Sequence, residues 1–311
     1  MIYTVTLNPA VDKIIFLDEF IKEKTARIKK TLETLGGKGT HLSIDLKLMD
    51  VDNTALGITI GENGKKITQM MESWGVGVRF LHYELQGLES RTNYEIVELN
   101  GNVCTMMSER GPMLSSSITD DLIAQIKDLL RADDILVLMG DASNVQDTAI
   151  YTELAQVAKQ CGAKVILDAS GPYLVEGIKS KPYMIKPNFE ELCFIAGREL
   201  KDEADVVSAL ESITEIPIVA MTWSGNGAVV KFGSDIYRVY PVKVRPMNEA
   251  GCGDAFLAAI IAGQEKGWGR EETLKWATSV SGSAVESEIT TGFDNDRAME
   301  LKLTAKVIKL K

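Results

Sequence analysis

Only two histidines, His41 and His82, and four cysteines, Cys104, Cys161, Cys193 and Cys252, occur in 311 residues. The cysteines lie far apart and form no CxxC pair, which argues against zinc or an iron–sulfur cluster and fits a reducing, cytoplasmic setting. Two histidines also leave little material for a histidine-based metal site or triad. Basic charge is short as well: 34 Lys and Arg against 44 Asp and Glu give a net charge of −10. That balance disfavours nucleic acid, which selects for a basic face. An anionic small molecule stays open, because a local cluster of Lys and Arg overrides the net charge. No uncharged apolar run reaches ~18 residues, so no membrane span is expected. The opening Met1–Pro9 lacks the basic region and long apolar core of a secretion signal. Internal repeats, low-complexity tracts and flexible linkers are missing too. These absences predict a soluble cytoplasmic protein with neither membrane nor nucleic acid as partner.

What the chain does have is an apolar content of 45%, enough for a substantial core. At this length one large α/β domain with a small appendage and two domains are both open. The most informative stretch is Gly251-Cys252-Gly253-Asp254, followed at once by Ala255–Ala262, which is hydrophobic on every face and reads as a fully buried helix. A buried helix that opens on a glycine turn presents unpaired N–H groups and a positive dipole end, an anion site. Asp254 in its first turn is either a favourable partner for the dipole or a catalytic group.

In chain order, Ile2–Leu7 reads as a strand ended by Asn8-Pro9, with Asp12 just past the turn as a ligand or an Asx-type turn residue. Short strands are expected at Ile14–Phe16 and Arg27–Leu32. Gly36-Gly37-Lys38-Gly39 precedes a helix over His41–Met49, a second potential anion site, but it is not a Walker A loop. A strand at Asn53–Gly57, a helix at Glu62–Trp74 and a strand at Val78–Leu81 follow. Arg91–Glu98 and Val103–Met107 flank Asn100-Gly101, the strongest short hairpin signal, and suggest a small sheet beside the main domain.

From Ile118 helices and strands alternate, with helices at Ile118–Leu130, Thr148–Gln160, Tyr173–Ile178, Phe189–Ala196 and Ala204–Ile213. The intervening strands Ile135–Met139 and Lys164–Leu167 are continuously apolar at their centres, as a parallel sheet buried on both faces requires. Ligands in such sheets bind beyond the carboxyl ends of the strands, where Asp168, Lys186, Asn188 and Thr222 fall. A hairpin of Ala228–Phe232 and Ile236–Pro241 follows, then the buried helix, then a helix from Arg270 to Val285. The tail Leu301–Lys311 carries no clear signal.

Taken together, Asn8-Pro9-Ala10-Val11-Asp12, Gly36-Gly37-Lys38-Gly39, Lys186-Pro187-Asn188-Phe189-Glu190-Glu191-Leu192 and Gly251-Cys252-Gly253-Asp254 stand in the order found in the PfkB (ribokinase-like) carbohydrate kinases. The chain resembles that family over its whole length. Thr6–Ala10 and the Lys-Pro-Asn run look most like its 1-phosphofructokinase and tagatose-6-phosphate kinase branch.

The resemblance implies one three-layer α/β/α domain over 1–311, with a mostly parallel sheet and a small β-sheet lid from segments around 12–34 and 90–108. It implies an ATP-dependent phosphotransferase that uses Mg-ATP and phosphorylates a hydroxyl of a ketohexose phosphate, tagatose 6-phosphate or fructose 1-phosphate. Carried over by motif, Asp254 is the general base, and the amides of Gly251, Cys252 and Gly253 form the anion hole. Lys186, Asn188, Glu191, Thr222, Ser224, Gly225 and Gly227 bind ATP. Asn188 and Glu191 organise Mg²⁺ through water, so no direct protein ligand is expected. Asp12, Gly37, Lys38, His41, Arg91 and Asp141 meet the sugar or its phosphate, with Arg27 less securely attached to that role. Family analogy also points to a homodimer through the lid.

Four positions depart from the family pattern. Cys252 stands for alanine, Ser224 for the first glycine of the nucleotide loop, and His41 for the sugar-contacting asparagine. Met139–Ser143 replaces Ser-Gly-Ser-Leu-Pro, and an Asp141 in the phosphate-contacting position repels a phosphate unless Lys38 or Arg91 compensates. Two other readings stay open at this stage: a kinase of a non-phosphorylated sugar or nucleoside, and a non-catalytic sugar- or nucleotide-binding regulatory protein of the same fold.

Overall fold

The structure, a computed structural model, describes residues 1–101 and 103–311. Its strands are β1 (Ile2–Thr6), β2 (Ala10–Leu17), β3 (Ile28–Gly36), β4 (Asn53–Ile60), β5 (Gly77–Tyr83), β6 (Arg91–Glu98) and β7 (Val103–Ser108). They continue with β8 (Ile135–Met139), β9 (Lys164–Asp168), β10 (Met184–Ile185), β11 (Ile218–Thr222), β12 (Ala228–Phe232), β13 (Asp235–Val239) and β14 (Val307–Lys309). The helices are α1 (Lys38–Leu48), α2 (Gly61–Ser73), α3 (Ser116–Leu129), α4 (Ile150–Gln160) and α5 (Gly171–Ile178). After them come α6 (Phe189–Ala196), α7 (Glu203–Ser212), α8 (Cys252–Glu265), α9 (Arg270–Val285) and α10 (Asn295–Lys302).

Ten strands form one sheet in the order β14-β13-β12-β11-β10-β9-β8-β1-β4-β5. From β11 to β5 neighbouring strands are parallel, while β12, β13 and β14 close the other edge in antiparallel pairs. Alternation along β8 explains why its five residues are all apolar. Leu136 and Leu138 face a core shared with α3, α4, α5, α6 and α7, whereas Val137 and Met139 face one shared with α1, α8, α9 and α10. The fold is therefore a three-layer α/β/α sandwich with a mostly parallel sheet. Helix α8 lies against both the sheet and α9, and every residue from Asp254 to Gly263 is buried.

A second sheet of four strands has the order β3-β2-β6-β7. Strand β2 pairs antiparallel with β3 and parallel with β6, so the small sheet is assembled from segments that are distant in sequence. The three residues Leu7-Asn8-Pro9 connect it to β1 of the large sheet. Among the described residues no helix is long and apolar enough to cross a membrane.

The sequence-based boundaries fall short where pairing partners are remote. Strand β2 begins at Ala10 rather than Ile14, which puts Asp12 inside a strand and not just past the turn. Helix α1 begins at Lys38, ahead of His41, because the glycine turn already has its helical hydrogen bonds. In the last twenty residues, α10 is a polar surface helix and β14 is three residues held by β13, neither long nor periodic enough to be read in advance.

Gly57 marks the tightest approach in the large sheet: its φ is +146°, and a Cβ there would lie 2.1 Å from the carbonyl oxygen of Thr6. Backbone cannot swing aside as a side chain can. Gly57→Ala is expected to lower the unfolding free energy by about 1–3 kcal/mol, measured by urea denaturation, whereas an unchanged midpoint would refute the close approach.

Candidate active site

Asp168 ends β9 with its side chain out of solvent, and two lysines converge on it. Lys38 Nζ, from the first residue of α1, donates to Oδ1 at 2.8 Å, and Lys186 Nζ, one residue past β10, lies 3.1 Å from Oδ2. Burial alone would raise the Asp168 pKa, but Lys186 and Lys38 hold it below the usual carboxylate range. Burial likewise opposes the charge on Lys38, and Asp168 together with Asp254 outweighs it, leaving the amine above its ordinary pKa. In the sequence Asp168 is marked only by its position at a strand end.

Across from this cluster is the N-terminus of α8. Gly251 is the N-cap, in the left-handed region, and no side chain caps the helix. The first amides therefore face outward with nothing from a side chain to satisfy them. Lys186 hangs beside them: a Cβ on Gly253 would lie 3.4 Å from its Nζ. Asp254 follows in the first turn, 5% exposed. Its Oδ2 is 3.0 Å from His41 Nδ1, while His41 Nε2 is 2.9 Å from the carbonyl oxygen of Leu35. Both ring nitrogens of His41 are thus engaged with the protein. The Cys252 thiol is pushed up, first by burial and then by the Asp254 charge, which disfavours the thiolate.

The small sheet supplies the opposite wall. Parallel pairing of β2 with β6 sets Asp12 against Asn93 and Ala10 against Arg91. Asn93 donates to Asp12 Oδ1 at 2.7 Å and Thr290 Oγ1 lies 3.4 Å from Oδ2, while burial pushes the Asp12 pKa up. Gly36 makes room for that carboxylate, since a Cβ there would fall 1.9 Å from Oδ1. Arg91 donates to the carbonyl oxygen of Asn8 at 3.0 Å and to Ser108 Oγ at 3.1 Å. Its Nη1 is also 3.4 Å from Asp141 Oδ2. Asp141 is held further by Asn8 Nδ2 at 3.0 Å and by the amide and hydroxyl of Ser143, both at 2.9 Å. Of the two cations set against Asp141 in the sequence, Arg91 pairs with it, whereas Lys38 pairs with Asp168.

These walls enclose a cavity of about 740 Å³ lined by Asp12, Gly37, Lys38, His41, Arg91, Asp141, Lys186, Gly251, Gly253 and Asp254. A second cavity, of about 660 Å³, is lined by Asn188, Thr222, Ser224, Gly225, Gly227, Cys252 and Gly253. Gly253 borders both, so the two meet at the N-terminus of α8. Lys186, expected beside the nucleotide, lines the Asp254 cavity. Glu191 lines neither: with Asn188 it forms a capping box for α6, and its Oε1 accepts from Ser170 Oγ at 2.7 Å. Ser224 takes a φ of +43° where the family has glycine, a conformation that costs a side chain about 1–2 kcal/mol. Arg27 is exposed and lines neither cavity. Sequence reading missed Asn93, Ser108 and Arg110, which also line the first cavity. Alternation along β6 from Arg91 could have pointed to Asn93; nothing local marks the other two.

Three comparisons bear on this arrangement. Residues 5–296 match the model described as pfkB family carbohydrate kinase. The chain is 31% identical over 310 residues to a 1-phosphofructokinase of Bacillus subtilis (98% of this chain, 99% of that one). It is 28% identical over 315 residues, the full length of both, to a tagatose-6-phosphate kinase of Staphylococcus epidermidis. Among solved structures, phosphofructokinase-2 from Escherichia coli in complex with potassium superposes with a TM-score of 0.90 over 97% of this chain and 98% of that one. At 21% identity that likeness speaks for the fold. With a family match across nearly the whole chain, relatives of equal length and the same three-layer fold, the chain belongs to the pfkB family of carbohydrate kinases.

Proposed function

We propose that this protein is a phosphotransferase that moves the γ-phosphoryl group of ATP to a hydroxyl of a ketohexose phosphate, tagatose 6-phosphate or fructose 1-phosphate. The observation that carries the proposal is the meeting of two cavities at Gly253, with Asp254 on the wall of one and the glycines of the 224–227 turn on the wall of the other. A hydroxyl held in the first cavity gives its proton to Asp254 as its oxygen bonds to the γ-phosphorus and the bond to ADP breaks. Charge developing on the phosphoryl oxygens meets the amides of Gly251, Cys252 and Gly253 and the ammonium of Lys186. Such preorganised donors are worth ~10²–10³ each in rate. Phosphoryl transfer asks little else of a protein than this positioning.

Family members named as kinases use a nucleotide with a divalent metal, and magnesium is our reading of that metal. The donor set fits an ion that keeps its water: the side chains of Asn188 and Glu191 are engaged in the α6 cap, and only Asn188 borders the nucleotide cavity. Bound there with the nucleotide, the ion would neutralise phosphate charge. Asp12 and Asn93 are suited to hold sugar hydroxyls, while Lys38, Arg91 and Arg110 are suited to a phosphate. Among the described residues Arg110 has no carboxylate within ion-pair distance, whereas Lys38 and Arg91 already have Asp168 and Asp141. The Arg91–Asp141 pair favours a second reading, a non-phosphorylated sugar or nucleoside as acceptor. One kinase domain over the whole chain, with the small sheet as its lid, completes the proposal. The exposure of every residue of β7 supports pairing of two copies through that sheet.

A coupled ADP-release assay with tagatose 6-phosphate, fructose 1-phosphate, fructose 6-phosphate, free sugars and nucleosides is expected to give turnover with a ketohexose phosphate. Turnover confined to unphosphorylated acceptors would establish the second reading instead. Asp254→Asn should lower kcat by about 10²–10⁴ while ATP affinity by calorimetry holds steady; near-normal turnover would remove Asp254 from the base role. Asp141→Asn should lower KM for a phosphorylated acceptor by roughly five- to tenfold, the effect of removing about 1 kcal/mol of like-charge repulsion. An unchanged KM in steady-state assays would mean that the acceptor's phosphate lies elsewhere.

A further inference from the structure

We propose that His41 is the positioning residue of the base: a doubly protonated imidazolium that grips Asp254 through Nδ1–H and is itself anchored through Nε2–H. The inference deepens the reading of Asp254 as base and rests on it. A carbonyl oxygen only accepts, so the 2.9 Å contact with Leu35 fixes a proton on Nε2. A neutral ring of that tautomer would turn the Nδ1 lone pair toward Asp254 Oδ2, 3.0 Å away. Two lone pairs do not hold that contact. A second proton must lie between them.

The surroundings assign that proton to the ring. Asp254 on α8 and Asp12 on β2 both favour a cation at His41. Asp45, one turn further along α1, is buried with Oδ1 unpartnered, and burial pushes its pKa well above the usual carboxylate range. Lys38, also on α1, is tied to Asp168. From β3 the ring meets only the Leu35 carbonyl, and the hydroxyls of Thr290 and Thr291 donate to that same oxygen at 3.2 and 3.1 Å. Burial opposes the imidazolium, but the Asp254 hydrogen bond and charge, with Asp12 and the Leu35 carbonyl, carry its pKa up to about 9.

This arrangement suits a base that must change its own charge. Among the described residues nothing donates to Asp254 Oδ1, which is left to receive the substrate proton. Once protonated there, the carboxyl still offers Oδ2 as an acceptor, so the Nδ1–H bond persists on both sides of the transfer. The carboxyl need not turn. The asparagine expected at this position in the family carries no charge and cannot supply the same cation.

Having only two histidines makes the test direct, because His82→Gln leaves His41 as the single imidazole. Heteronuclear NMR of this variant with isotope-labelled histidine should find both ring nitrogens protonated at neutral pH, with one titration near 9. A neutral ring at neutral pH overturns the proposal. Steady-state kcat should fall as pH rises through about 9, since the ring proton is present below that value and lost above it. In His41→Asn that alkaline limb should vanish, with kcat down about tenfold or more and KM for ATP within about twofold of the parent. An alkaline limb identical to the parent's also overturns it. The NMR readout needs no turnover, so absence of kinase activity on every acceptor would refute the proposed function without deciding the state of His41.

Discussion

Asp168 sits where three segments of the chain must agree. Its carboxylate ends β9, one lysine reaches it from the start of α1 and the other from the end of β10, and none of the three is near another in sequence. An ion triad of this kind is a poor source of net stability, because each charge must shed its water. Its value is geometric. Removing the carboxylate would leave Lys186, 6% exposed, with an uncompensated charge beside the α8 amides. The position of Lys186 over Gly253, and of Lys38 on the wall of the first cavity, follows from that shared anion. The N-terminus of α8 thus carries positive potential from two sources: helix amides aligned by a buried helix, and an ammonium aligned by a buried carboxylate.

How much of this could be read in advance differs by element. The interior strands were legible because burial on both faces forces a continuous apolar run, as in Ile135–Met139, and the alternating helices complete the parallel pattern. Helix α8 was legible for the same reason, and its glycine turn gave away its open N-terminus. The motifs at Gly36, Lys186 and Gly251, each legible because it is local, contribute residues to the lining of one cavity. Contacts that join motifs were not legible. His41 and Asp254 are 213 positions apart, and Asp168 and Lys38 are 130 apart. The Asp141 carboxylate, which in sequence looked hostile to a phosphate, turns out to be tied to Arg91 and Asn8. The capping box of Asn188 and Glu191 was visible as a motif, but that both side chains are already engaged by the helix was not.

Charge in the first cavity is closely balanced. Lys38, Arg91, Arg110 and Lys186, with His41 as a fifth cation when doubly protonated, face Asp12, Glu109, Asp141 and Asp254 around it. Each carboxylate has an identified neighbour that fixes its orientation, the Thr92 amide donating to Glu109 at 2.9 Å, so these charges are held in place and do not form a diffuse field. A pocket of that kind discriminates by what it would have to unpair. An acceptor whose phosphate replaces Asp141 on Arg91 must recover the broken contact, while a neutral acceptor leaves the pair intact.

Pairing of β2 with β6 has one more consequence. Asp12, Asn93 and Arg91 are fixed to one another by a ladder of backbone bonds, whereas Asp254 and the α8 amides are fixed to the other sheet. Only Leu7-Asn8-Pro9 joins β1 to β2. The polar groups on those two strands therefore form a single tile, which Gly37 between β3 and α1 ties to the large sheet's layer a second time. Spacing among Asp12, Asn93 and Arg91 is thus set within the small sheet, while their distance from Asp254 is set by the segments that join the two sheets.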